Sequence, residues 1–227
     1  MAAPRPRWLP LGEHALHPLL IALILLIFVV KPLVELAVLP AGAMGLTLLL
    51  VILAGVTLLE GFGWRMRAAM LATMVAAIGL QGLAIGLPRL LVEVAADASA
   101  MLSLLLLAAA ILRQTFAPGR ITLRRLEGAL AAYLLIGLAF AAAYAMVNLL
   151  APGAFERGGV PMLGAPQDAG LLFFSFVTLS TTGYGDIVPV HPVARSLAVL
   201  EVITGTLFTT VLIARLVSLE LAGRGRS

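Results

Sequence analysis

Cysteine is absent from all 227 residues, which excludes disulfide staples, thiolate metal sites and thiol nucleophiles. Charge is scarce too: 11% of the residues are charged, while 62% are hydrophobic. A water-soluble domain carries roughly 25% charged residues. This chain has too little polar surface to coat a globule, so lipid is the solvent its composition fits. The formal excess of +4 does not point to a nucleic-acid partner, because the placement of the charges matters more than their sum. No cluster of His, Asp and Glu, or of Ser and Lys, converges within the apolar runs. His14, His17 and His191 all fall at their edges, so an enzyme is not expected.

What the chain does have is long apolar runs. A bilayer crossing needs about 20 apolar residues, and windows of that kind cover 16–38, 42–60, 67–87, 97–116, 128–150 and 193–217. A shorter run, 170–181, is too brief to cross and reads as a re-entrant segment. The expectation is an all-α integral membrane protein with six transmembrane helices, a re-entrant helix and a loop after it. Lys31 and Glu35, four apart, are placed to pair on one helix face. They also interrupt the first run, which is too long for the core of a signal peptide.

Loop charge orients the set. One side would carry Arg5, Arg7, Arg65, Arg67, Arg113, Arg120, Arg124, Arg125, Arg215, Arg224 and Arg226. The other would carry only Lys31, Arg89, Arg157 and Arg195. Both termini are therefore expected in the cytoplasm, and the re-entrant segment faces outward. Residues 1–116 read as a four-helix peripheral unit rich in Leu, Ala, Val and Met, whose small residues favour close packing in lipid. Residues 117–127 form a linker, where arginines and leucines suggest either an interfacial helix or a plain charged loop. Residues 128–220 form a second unit, and 221–227 a short tail with no room for a ligand-sensing domain. The Gly- and Pro-rich stretch 151–169 reads as an outer loop.

One short stretch breaks the apolar pattern, "STTGYGDI" at 180–187. Non-helical backbone at membrane depth must be buried in protein or line water. Gly183 and Gly185, on either side of Tyr184, permit φ values that side chains forbid, so successive carbonyls can point the same way. A file of such carbonyls suits a dehydrated monovalent cation, whereas divalent metals prefer carboxylates or imidazoles. The only carboxylate in the stretch is Asp186, at its outer end.

Thr181-Thr182-Gly183-Tyr184-Gly185-Asp186 resembles the TVGYGD selectivity filter of tetrameric potassium channels, a family that is itself the standard example of selection by carbonyl rings. The resemblance covers about 165–217: an apolar pore helix, "GLLFFSFVTLST", then the filter, then a helix with a central glycine. The layout resembles the bacterial six-helix members of the ion-channel superfamily. It implies ion-coordinating carbonyls at Thr181, Thr182, Gly183, Tyr184 and Gly185, with the Thr181 hydroxyl adding the innermost ligand. Tyr184 would brace the filter against Phe173 or Phe174, and Asp186 would gather cations at the mouth. K⁺ would be the permeant ion, held by carbonyls alone, with no cofactor. Two features depart from the family pattern. Thr182 replaces the usual valine and needs a partner for its hydroxyl. Val177 stands where some relatives carry a carboxylate.

Glu201 lies about 13 Å into the last helix at 1.5 Å per residue. It is expected to brace the pore helix through Thr178 or Thr182, or else to face the cavity. Gly205 falls where related channels carry a gating hinge, with close packing as the alternative. Thr206, Thr209 and Thr210 share one face and would line a wet cavity or bond back to their own helix. Gln81 and Asn148 read as polar glue between helices. The fourth helix carries only Arg113, at its inner end, so steep voltage sensing is not expected. One strand cannot encircle an ion, so the resemblance implies three further copies of the chain around an axis. The expected function is passive K⁺ conduction through a homotetramer in a bacterial inner membrane. A secondary transporter, disfavoured by the absence of internal repeats, or a weakly selective cation channel is the alternative.

Overall fold

A computed structural model of the chain describes residues 16–39, 89–116, 123–163 and 169–224, with isolated positions 51, 55, 64, 68, 72 and 73 between them. The expected crossings at 42–60 and 67–87, and Gln81, lie outside the continuously described residues. Four described helices are long and apolar enough to cross a membrane: Leu16–Glu35, Leu90–Arg113, Arg125–Leu150 and Pro192–Arg215.

The first crossing is built from α1 (Leu16–Leu25), a π-helical stretch (Leu26–Val30) and α2 (Lys31–Glu35). Pro32 explains the wide turn. A proline ring clashes with the carbonyl four residues back and supplies no N–H, and a π turn is a common way to absorb such a fault. The Lys31 N–H accordingly reaches back five residues, to the Leu26 carbonyl. Lys31 Nζ pairs with Glu35 Oε1 at 3.4 Å.

Helix α3 (Arg89–Thr115) begins eight residues before the expected 97. The charges of Glu93 and Asp97 interrupt the apolar window, yet Glu and the surrounding alanines do not oppose a helix. Helix α4 (Leu123–Leu150) likewise starts inside the expected linker, so its basic first turns and the crossing form one element. The pore-helix stretch is α5 (Ala169–Leu179), and the last crossing is α6 (Pro192–Arg224).

The loop 151–169 and the stretch just after Asp186 hold three short strands that an all-α reading did not anticipate: β1 (Phe155–Arg157), β2 (Val160–Pro161) and β3 (Ile187–Pro189). They form an antiparallel ribbon in the order β2-β1-β3, with Arg157 opposite both Val160 and Ile187. Gly158 and Gly159 make the two-residue turn, with φ of +57° and +81°, the signs a type I′ hairpin demands.

Helix α4 is the hub. On one side Leu19, Leu23 and Leu26 of the first crossing and Leu104, Leu107 and Ile111 of α3 pack into a core with Ala131, Ala132 and Leu135 of α4. Small residues along α4 let neighbouring backbones approach closely, which matters where lipid offers no hydrophobic drive between helices. At the cytoplasm-facing end of the expected topology, His17 Nδ1 meets Glu127 Oε1 at 3.0 Å, and Arg215 lies over the Phe116 ring at 5.3 Å. Only 11% of the α6 crossing window is buried within the chain, against 67% for α4. The apolar side of α6 therefore has room for lipid or another chain.

A second core joins the ribbon to the pore-helix stretch. Tyr144 of α4, Phe155 of β1 and Phe174 of α5 meet edge to face in a closed trio, with centroids 5.0 to 5.4 Å apart. Edge-to-face aromatic pairs add roughly 0.5–1.5 kcal/mol each beyond area burial. Phe155→Ala should lower the stability of the purified protein by roughly 3–5 kcal/mol, as for other fully buried aromatics. Thermal unfolding in detergent checks this, and an unchanged midpoint would contradict the role assigned to the trio.

Candidate functional site

The site begins where α5 ends. Past Leu179 the chain turns back on its own helix: the Thr181 N–H donates to the Thr178 carbonyl at 2.9 Å, and the Thr182 and Gly183 N–H groups donate to the Val177 carbonyl at 2.9 and 3.3 Å. These bonds satisfy carbonyls that a helix C-terminus leaves open. They also turn the N–H groups of 181–183 toward α5. Among the described residues, no donor meets the carbonyls of Thr181 through Gly185.

The backbone signs decide where those carbonyls point. Thr181, Gly183 and Gly185 have φ of +60°, +57° and +76°, while Thr182 and Tyr184 stay negative. Residues of alternating hand aim successive N–H groups to one side of the chain and carbonyls to the other. Glycine takes the positive sign freely. Thr181 does not: a β-branched residue there costs roughly 1–2 kcal/mol. Strain of this kind persists only where its surroundings enforce it, and it marks candidate functional positions. Here the three backward hydrogen bonds enforce it.

Two side chains of the segment, Tyr184 and Thr182, are held by neighbours. Tyr184 stacks on Phe173 of α5, the ring centroids 6.0 Å apart and the planes 2° from parallel. Phe174, the other expected support, packs instead into the aromatic trio. The Thr182 hydroxyl finds its partner in Ser180 Oγ at 2.9 Å. At the C-terminal end of the segment the Asp186 carbonyl accepts the Gly158 N–H at 3.1 Å, so the hairpin turn holds that end. Residues 180–186 are all exposed in the single chain.

Glu201 corrects one expectation. It is wholly buried and does reach α5, but through Ser175 rather than Thr178 or Thr182. Ser175 Oγ lies 2.5 Å from Glu201 Oε1, and the Tyr144 hydroxyl donates to Glu201 Oε2 at 2.5 Å. Ser175 Oγ also donates to the Gly137 carbonyl at 2.7 Å. Thr178 sits three residues, about one turn, beyond Ser175, and it supports the segment through its backbone carbonyl instead. Tyr144, Ser175 and Ser180 were not among the expected site residues. Tyr144 and Ser175 are polar groups inside apolar helices, and the rule that such groups seek partners at membrane depth is the signal that could have found them.

Helix α6 runs unbroken through Gly205. Gly205 is buried, and a Cβ there would collide with the Leu179 carbonyl oxygen. The bare backbone lets α6 touch the end of α5. Thr206, Thr209 and Thr210 are exposed on α6. The Thr206 hydroxyl donates to the Val202 carbonyl at 2.9 Å, and that of Thr209 to the Gly205 carbonyl at 3.0 Å.

Comparison with known proteins bears on this same region. Residues 166–220 match a family described as ion channel. The chain is 37% identical over 89 residues to "Two pore potassium channel c" of Oryza sativa subsp. japonica, a match covering 39% of this chain and 17% of that protein's length. No solved structure matches. The family match lies on α5, the following segment and α6, and it points to a membrane channel rather than an enzyme.

Gly183→Ala tests the backbone geometry. Nothing lies within 4 Å of the added methyl group, so its cost is the roughly 1–2 kcal/mol of a left-handed alanine. The variant should fold with near-normal melting in detergent and lose ion flux in liposomes. Normal flux would remove the assignment of the segment.

Proposed function

We propose that four copies of this chain surround an axis and pass potassium ions in single file between the carbonyls of Thr181, Thr182, Gly183, Tyr184 and Gly185. The observation that carries the reading is the alternation of φ along this segment together with its donor-free carbonyls. An ion entering a narrow pore must shed water, and a ring of carbonyl oxygens replaces that water without a full countercharge, so binding stays weak enough for release. The Thr181 hydroxyl adds an oxygen at the inner end. The C-terminus of α5 directs its partial negative charge toward the same place. Asp186 concentrates cations at the outer mouth.

Selectivity for K⁺ is supported by Tyr184 at the position where the resembled family carries tyrosine, and by the name of the potassium channel relative. The stacking of Tyr184 on Phe173 and the Thr182–Ser180 hydrogen bond hold the file at fixed width. Four-fold closure would also cover α6, whose apolar side is open in the single chain. Gating is proposed to bend α6 at Gly205, which would lift the helix from the Leu179 carbonyl and so connect an inner gate to the base of the filter. Thr206, Thr209 and Thr210 would then line the cavity, and Phe174 and Thr178 would steady the pore helix from behind.

The arginine distribution supports cytoplasmic termini in a bacterial inner membrane, with residues 1–116 as the peripheral unit and 128–220 as the pore. Arg89 and Arg113, one at each end of α3, supply too little gating charge for steep voltage dependence, each charge being worth about 2.3 kcal/mol per 100 mV.

Reconstitution into liposomes with opposed K⁺ and Na⁺ gradients tests the function. The current should reverse near the K⁺ equilibrium potential. Reversal near the Na⁺ value, or no dependence on K⁺, would overturn the selectivity.

A further inference from the structure

Glu201, Ser175 and Tyr144 pose a question of proton bookkeeping. Ser175 Oγ has two oxygen neighbours at hydrogen-bond distance, the Gly137 carbonyl at 2.7 Å and Glu201 Oε1 at 2.5 Å. A serine hydroxyl has one proton to donate. The carbonyl has none, so two short oxygen contacts need a second proton, and only the carboxyl group can carry it. Tyr144 cannot supply it, because its hydroxyl is committed to Oε2.

The surroundings agree. Glu201 is 0% exposed, and a buried carboxylate needs a cation or a dense set of donors. The partners that Glu201 meets among the described residues are the hydroxyls of Tyr144 and Ser175, and neither is a base. With two hydroxyl neighbours and no basic partner, the neutral acid leaves every group satisfied.

We propose that Glu201 is held as the neutral acid, its proton on Oε1 donated to Ser175 Oγ. The result is one directional chain: Tyr144 donates to Glu201, Glu201 to Ser175, and Ser175 to the Gly137 carbonyl. It begins and ends on α4 and passes through α6 and α5, so it clamps the three helices of the pore unit to one another. Hydrogen bonds aligned head to tail polarise one another in a low-dielectric interior. An ionised Glu201 would instead claim the Ser175 proton and leave the Gly137 contact without one. Tyr144, Ser175 and Glu201 are thus positioning residues for α5, and their bearing on conduction rests on the reading given under Proposed function. The placement of the proton does not.

Infrared difference spectroscopy of proteoliposomes at neutral pH separates the two. Wild type minus Glu201→Gln should show the carbonyl stretch of a protonated carboxylic acid. Tyr144→Phe, which removes a hydrogen bond to that carbonyl, should shift the band to higher frequency. Loss of carboxylate bands instead, or a band that ignores Tyr144→Phe, would overturn the proposal. Glutamine has an N–H for Ser175 and a carbonyl for Tyr144, so Glu201→Gln should keep wild-type K⁺ flux and melting, while Glu201→Ala should lose both. Collapse of Glu201→Gln to the level of Glu201→Ala would also overturn it. An intact acid band in a protein without K⁺ selectivity would sink the conduction reading and leave the proton where it is placed here.

Discussion

A peptide carbonyl removed from water without a donor is expensive, by several kcal/mol in hydrocarbon. The segment Thr181–Gly185 presents five in succession that meet no donor among the described residues. The rest of the local architecture serves to hold that arrangement. The backward hydrogen bonds from 181–183 take up the N–H groups, the alternating φ signs align the carbonyls, and α5 supplies the platform. In the single chain these residues are exposed and water can meet the carbonyls; the cost arises only where further copies close around them. On the conduction reading their cost is offset by a cation that passes among them.

The platform in turn depends on what grips α5. The aromatic trio fixes the Phe174 face of its middle turn to α4 and the ribbon. The Glu201 chain fixes its middle to α4 and α6. Gly205 lets α6 touch its last carbonyl. Each grip lies on a different face or turn, so α5 can neither slide nor roll without breaking one of them. That geometry gives Tyr184 a fixed ring, Phe173, to stack against, and it keeps the strained Thr181 in place.

Much of this was legible in the sequence, and for stated physical reasons. Apolar length located the described crossings, and the Gly–Tyr–Gly spacing located the exposed backbone. Boundaries were less legible. Helix α3 begins early because Glu93 and Asp97 look like an end to an apolar window but do not break a helix. The ribbon was passed over although Gly158-Gly159 between Phe155 and Val160 is a hairpin signal, because Gly and Pro on both sides read equally well as loop. Glu201 was recognised as a buried acid needing a partner. The expected partners, Thr178 one turn further along α5 and Thr182 beyond its end, miss Ser175 and Tyr144, since the register between two packed helices is a tertiary property that neither stretch of sequence contains. Ser175 and Tyr144 were hidden for the same reason: each is a single polar residue on an apolar helix until the three are brought together.

Crystals of the assembled protein soaked in Rb⁺, a heavier stand-in for K⁺, offer the most direct measurement. Anomalous scattering should reveal ions spaced along a four-fold axis between the carbonyls of Thr181 and Gly185, bound by peptide oxygens. Ions absent from that axis, or held by Asp186 and other carboxylates alone, would contradict the account.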